Sequence, residues 1–188
     1  MHPLNTLIRD RDDLAEALQI SREKLSFLAN APAFRKYTKF AISKRDGSIR
    51  IIEAPQTSLK VVQKKLYEIL EPYYSPPNCV HGFISGKSII TGAFSHLTYG
   101  GKRQAARKNT RFYFVLDIED FFPSITSQRI YGLLTGKFLH ATECVAFDIA
   151  KLCIGEHGLA QGSPVSPLIS NMICLNMDRA ILAFAKKK

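Results

Sequence analysis

The sequence has no apolar run long enough to cross a bilayer, and its opening, MHPLNTLIRDRDD, has no apolar stretch behind a basic one. Neither a membrane span nor a secretion signal is expected, and a cytoplasmic location with no membrane partner is the default. Cysteine is scarce. Cys79, Cys144, Cys153 and Cys174 are separated by 65, 9 and 21 positions, which matches neither a zinc site nor a disulfide framework, so reduced and mostly packed thiols are expected. Internal repeats and low-complexity linkers are also missing. A chain of 188 residues, 46% hydrophobic and 22% charged, suits one globular domain with its own core, or a domain plus a lobe.

Acidic residues are short in one part of the chain only. Residues 1–111 carry 19 Lys/Arg against 9 Asp/Glu, whereas residues 112–188 carry 7 against 7, so the whole excess of +10 belongs to the first part. A lobe this basic fits a polyanion, most simply nucleic acid, whose phosphates release counterions when neutralised. It fits equally a solvated basic surface that aids solubility.

Along the chain, residues 10–30 read as two helices. Leu14, Leu18 and Ile20 lie near one face of the first, and Ser21 caps a second that carries Leu25, Phe27 and Leu28. YTKFAISKRDGSIRIIEAP reads as a hairpin turning at Asp46-Gly47 and closed by Pro55. A helix over about residues 57–71 follows, with Leu59, Val62, Leu66 and Leu70 at helical spacing, and YYSPPN ends it. Residues 80–111 mix glycines with basic residues and suggest loops and a short helix. Ser124 or Thr126 caps a helix with Ile125, Ile130, Leu133 and Leu134 inward. A last helix starts with Ser166 as N-cap and Pro167 at the first helical position, and carries an apolar stripe through Ile169, Met172, Met177, Ile181 and Phe184.

The segment FYFVLDIEDFFPSIT holds the chemistry. Phe112–Leu116 is apolar without alternation, as in a strand buried on both faces, and Asp117 stands at its end. Unpaired carboxylates are costly to bury. A hard cation such as Mg2+, which takes oxygen ligands, compensates them, with Asp117 as first ligand and the Ile118 carbonyl as a second. The alternative is that Asp117, Glu119 and Asp120 only cap the turn and solvate the sheet edge.

DIEDFFPSI resembles the first palm motif of reverse transcriptases, and GLAQGSPVSP the glycine-glutamine-glycine loop that opens their next palm helix. SKRDGSIRIIEAP resembles the basic fingers hairpin, and VHGFISGKSIITGAFSH the segment between fingers and palm in retron-type bacterial enzymes. Each motif is short; four in order, over roughly residues 20–185, identify the chain as similar to that family. The resemblance implies an α+β fold: the fingers and a truncated palm of a right-hand polymerase, an antiparallel sheet packed on helices. The implied divisions are a helical segment over 1–40, basic fingers over 41–111 and a partial palm over 112–188.

The resemblance also implies roles. Asp117 coordinates the two Mg2+ ions of the complete enzyme, which activate the primer hydroxyl and steady the leaving pyrophosphate. Ile118, Glu119, Asp120, Phe121 and Phe122 line the triphosphate; Phe122 falls at the steric gate against a ribose 2′-hydroxyl, and Phe121 reads as core packing, since only one of two adjacent strand residues faces a cleft. Lys44 and Arg50 grip the incoming triphosphate, and Gln161 and Gly162 contact nucleotide and template, with Ala160 where the family usually has proline. Read from charge and not from the resemblance, Lys102, Arg103, Arg107, Lys108 and Arg111 form a basic cluster that fits template or primer phosphates and fits nearly as well a solvated face. The implied partners are an RNA template, a DNA or RNA primer, deoxynucleoside triphosphates and a structured noncoding RNA. A role in retron DNA synthesis and phage defence is implied likewise.

The Tyr-x-Asp-Asp hairpin and the thumb that follow in the family are not in this sequence. Its only Asp-Asp pair, Asp12-Asp13, lies at a helix start, where acids favour the positive end of the dipole. One carboxylate seldom holds two ions, so the chain alone is expected not to polymerise. A non-catalytic RNA-binding module with a polymerase-like lobe is the competing reading.

Overall fold

A computed structural model of the chain describes residues 2–44, 47–99, 102–103 and 115–186. It opens with three short helices, α1 (Leu4–Leu7), α2 (Arg11–Ala17) and α3 (Arg22–Asn30). The Asp10 carboxylate accepts from the main-chain N–H groups of Asp12 and Asp13, and the Ser21 hydroxyl from that of Lys24, so two helix starts are satisfied by side chains. Replacing Asp10 with Ala should lower unfolding free energy by about 1 kcal/mol, seen as an earlier midpoint in urea at unchanged slope. An unmoved midpoint would mean that this cap carries no stability.

The chain continues through α4 (Ala33–Lys36) into β1 (Tyr37–Ser43), which pairs antiparallel with β2 (Ile49–Pro55) from Tyr37 opposite Pro55 to Ser43 opposite Ile49. Gly47, at φ +83°, supplies the left-handed turn as expected; Arg45 and Asp46 lie outside the described residues. Next come α5 (Thr57–Leu70), a 3-10 turn over Glu71–Tyr73, α6 (Ile89–Leu97), and an antiparallel pair, β3 (Thr98–Tyr99) with β4 (Lys102–Arg103). Three helices complete the chain, α7 (Ser127–Thr135), α8 (Glu143–Cys153) and α9 (Ser166–Lys186). Thr126, one of the two candidates, caps α7 by accepting from the Arg129 N–H.

These elements form two units, one joining Met1–Tyr74 to Asp120–Ile173 and the other Ser75–Glu119 to Cys174–Lys188. The first is built around α8, against which α2, α3, α5 and α7 pack. Sequence reading passed over α8, although Val145, Ile149 and Leu152 recur at helical spacing, and all three are fully buried. Arg11 grips the buried Asp148 carboxylate with two hydrogen bonds of 2.7 and 3.1 Å, joining α2 to α8. The last carbonyls of α8 are satisfied from the hairpin side. Lys36 Nζ donates to Lys151 O at 2.8 Å, and the Gln63 amide donates to Leu152 O at 2.8 Å and to the Tyr37 hydroxyl at 2.9 Å. Burial holds the Lys36 ammonium below its usual range and pushes the Cys153 thiol up to about 12, so that cysteine is an inert core residue. The four cysteines are free, as expected, but only Cys153 is buried and Cys79 is exposed, so they are not mostly packed.

In the second unit, Lys87 Nζ reaches three carbonyls, closest at Val80 O, 2.7 Å. His81 Nδ1 lies 2.9 Å from Thr91 Oγ1, and Ser88 and Thr91 exchange hydrogen bonds across the first turn of α6. His81 is thereby held to the first turn of α6.

Several expectations are corrected. Residues 112–114 lie outside the described residues, while Val115 and Leu116 are 90% and 71% exposed and belong to no strand, so the buried strand leading to Asp117 is not formed there. An apolar run becomes a buried strand only where a neighbour pairs with it, and among the described residues none pairs with these two. Phe27 is exposed, about 200° around α3 from the buried Leu25. Met177, Ile181 and Phe184 are exposed as well, whereas Ile169 and Met172 are core. Ser166 is the first helical residue rather than the cap, because its buried hydroxyl donates to Ala160 O at 2.8 Å. Finally, Ser166–Ala185 is long and apolar enough by length and composition to cross a membrane, against the expectation of no such run. Its beginning is core of the first unit, and Asp178 and Arg179 interrupt its later part.

Candidate functional site

The glycine-rich segment 155–162 lies where three pieces of the first unit meet. Because the hairpin base is bonded to the end of α8, the chain leaving α8 runs beside β2. Glu53 N donates to Gln161 O at 2.9 Å, and Glu53 Oε1 accepts from Glu156 N at 3.0 Å. From the other side, Leu159 N donates to Phe122 O at 3.2 Å and to Ile125 O at 2.9 Å. Ala160 N donates to Cys153 O at 3.2 Å. A proline at 160 has no N–H for that bond, so here hydrogen bonding supplies the rigidity that a ring supplies elsewhere.

Three glycines permit this packing. A Cβ on Gly158, whose φ is +150°, would lie 2.7 Å from the Pro123 carbonyl carbon; one on Gly162, at φ +133°, would lie 2.8 Å from Glu53 O. On Gly155 it would fall on the Glu53 carboxylate.

The turn beside the loop carries Asp120, Phe121 and Phe122. Asp120 adopts φ +44°, a conformation aspartate tolerates better than most residues, and its carbonyl accepts from Ser124 N at 2.8 Å. Phe121 and Phe122 stand edge to face with centroids 5.3 Å apart, and both are half-buried against the core. They lie in a turn, so the strand alternation used to separate them does not apply.

Lys44 and Arg50 are on the hairpin. The main chain of Lys44 closes the tip through Ser48 and Gly47, while Arg50 is opposite Ile42; both side chains are exposed and make no ion pair among the described residues. Lys44, Arg50, Asp120, Phe121, Phe122, Gln161 and Gly162 therefore all belong to one unit.

Asp117, Ile118 and Glu119 belong to the other unit and are exposed. Asp117 Oδ1 accepts from Ile118 N at 3.1 Å, and the carboxylate has no cationic partner among the described residues. It is a hard oxygen ligand not committed elsewhere, which fits one position in a Mg2+ shell. No group of three or more His, Cys, Asp or Glu side chains suited to a metal occurs among the described residues, so the shell is not completed by them. Lys102 and Arg103 form β4; Arg107, Lys108 and Arg111 lie outside the described residues. Sequence reading missed Glu53, Gly155 and Gly158. The spacing of Gly155, Gly158 and Gly162 was the available signal.

The first unit thus ties a hairpin with exposed basic residues to a glycine-glutamine loop that lies beside the turn bearing Asp120. The profile of the family reverse transcriptase (RNA-dependent DNA polymerase) matches residues 42–187, and the chain belongs to that family. Within it the chain is similar to retron enzymes. It is 31% identical to the retron Mx65 reverse transcriptase and 32% identical to the retron Mx162 reverse transcriptase, both of Myxococcus xanthus, over 95% and 97% of its own length. It is 30% identical to the retron Ec86 reverse transcriptase of Escherichia coli over 92%. The chain spans 44%, 39% and 50% of those three relatives.

Proposed function

We propose that this chain supplies the fingers and part of the palm of a retron-type, RNA-directed DNA polymerase, a right-hand fold in which residues 41–111 act as fingers and 112–188 as palm. The observation that carries the reading is the bond between Glu53 N and Gln161 O, which joins the strand bearing Arg50 to the loop bearing Gln161. Lys44 and Arg50 hold the triphosphate of an incoming deoxynucleotide by charge-assisted hydrogen bonds. Glu119, Asp120 and Phe121 line it, Phe122 excludes a ribose 2′-hydroxyl, and Gln161 and Gly162 meet base and template. Asp117 and the Ile118 carbonyl hold Mg2+, which, when bound, lowers the cost of deprotonating the primer hydroxyl. Lys102, Arg103, Arg107, Lys108 and Arg111 follow the phosphates of template and primer. A structured noncoding RNA as template and a part in phage defence, both taken from the resemblance to retron enzymes, and a cytoplasmic setting complete the proposal.

In the polymerase at its full length, Lys44→Ala and Arg50→Ala should each raise the deoxynucleotide KM by roughly tenfold or more while changing RNA affinity little. Unchanged KM in both would remove the hairpin from the nucleotide site. The second reading, a non-catalytic RNA-binding module, is favoured by the placement of all excess positive charge in residues 1–111. Steeply salt-dependent RNA binding without any Mg2+-dependent nucleotide binding would establish it instead.

A further inference from the structure

Glu53 does more than its place in β2 requires. Any residue but proline could pair its main-chain N–H with Gln161 O, but this one also turns a carboxylate inward, where the residue is 8% exposed. A carboxylate in that position is costly unless it is bonded. Its Oε1 accepts the Glu156 N–H at 3.0 Å, and Gly155 offers no side chain to displace it. Directly across the hairpin, Lys39 forms an ion pair with the Glu156 side chain, so the register partners Lys39 and Glu53 grip the same loop residue. At the other end of the loop Gly162 lies against the Glu53 carbonyl. One strand residue thereby touches positions 155 and 156 at the start of the loop and 161 and 162 at its end.

We propose that Glu53 is a positioning residue for the Gln161 loop, indexing it to the hairpin that carries Lys44 and Arg50. The inference rests on the nucleotide-binding reading above and adds a residue to it. Both ends of the loop are thereby held in fixed register with the hairpin, so that Gln161 meets the same nucleotide as the basic residues. The carboxylate acts through the loop and touches no substrate.

The test uses the polymerase at its full length, with Glu53→Ala, Glu53→Asp and Glu53→Gln. Alanine removes the acceptor, aspartate keeps the charge but is one methylene too short for the Glu156 N–H, and glutamine keeps an acceptor of the right reach. Amide hydrogen exchange over 155–162 should rise roughly tenfold in E53A and E53D, with α5 and α8 unchanged, and by less than about threefold in E53Q. The deoxynucleotide KM should follow the same order, up roughly tenfold in E53A and E53D with kcat held within about twofold, and near wild type in E53Q. Unaltered loop exchange in E53A and E53D overturns the inference; so does a loosened loop with unaltered KM. Gln161→Ala measured alongside separates the two levels. If it raises KM while E53A does not, only the positioning role falls, whereas if neither changes KM the nucleotide-binding reading falls and the inference with it. Should E53A fail to fold, E53D against E53Q carries the comparison.

Discussion

Asp117→Asn should abolish primer extension by the full-length polymerase, by about three orders of magnitude or more, with RNA affinity within about twofold of wild type. Asparagine keeps the size of the side chain and one carbonyl oxygen but removes the negative charge. In the proposed function, the loss of several kcal/mol of charge stabilisation in the transition state then falls on kcat, while the basic residues proposed to meet RNA phosphates are other than Asp117. Asp117 suits such a variant because its carboxylate supports nothing else among the described residues: its one hydrogen bond is to the neighbouring Ile118 N–H at 3.1 Å. Folding should be untouched, so thermal unfolding of the variant should match wild type. Extension that persists in D117N would end the assignment of Asp117 as a metal ligand. Loss of RNA binding together with activity would place the residue in nucleic-acid contact instead.

Gly158→Ala should produce the largest loss of stability of any single methyl addition considered, about 3 kcal/mol, or roughly ten degrees in Tm for a chain of this size. Two penalties combine. The residue's φ of +150° is one that an L side chain rarely adopts, and the new Cβ would meet Pro123 backbone atoms, 2.7 Å from its carbonyl carbon and 2.9 Å from its Cα. Neither partner yields easily: Leu159 N is bonded to Phe122 O and Ile125 O on one side, and the loop is bonded to Glu53 on the other. Gly132→Ala is the control. It lies within α7 with open space where its Cβ would go, so alanine there should raise stability by about 0.5–1 kcal/mol. Equal behaviour of G158A and G132A in thermal unfolding would show that the loop is not clamped against Pro123.

Much of the secondary structure was legible because its causes are local. Capping by Ser21 and Thr126, the glycine of the hairpin turn and the Leu59–Val62–Leu66–Leu70 stripe each depend on residues within a turn or two. Helix α8 shows the same periodicity and was overlooked, not hidden. The Val115–Leu116 segment failed for a different reason. An apolar run signals a wish for burial, and whether it pairs depends on a neighbour the run itself does not specify. The exposed Phe184 end of α9 makes the same point.

The site divides along that line too. The resemblance carried by four ordered motifs, among them the basic hairpin, DIEDFFPSI and the glutamine between glycines, was enough to place the chain among the reverse transcriptases. That the loop is held by Glu53, that Ala160 replaces a ring with a hydrogen bond, and that Gly155 and Gly158 are glycine for lack of room, came only from tertiary structure. Local preferences are written into neighbouring side chains, whereas the contacts of Gly158 with Pro123 and of the loop with Glu53, about a hundred positions away, exist only after the core around α8 has brought their backbones together.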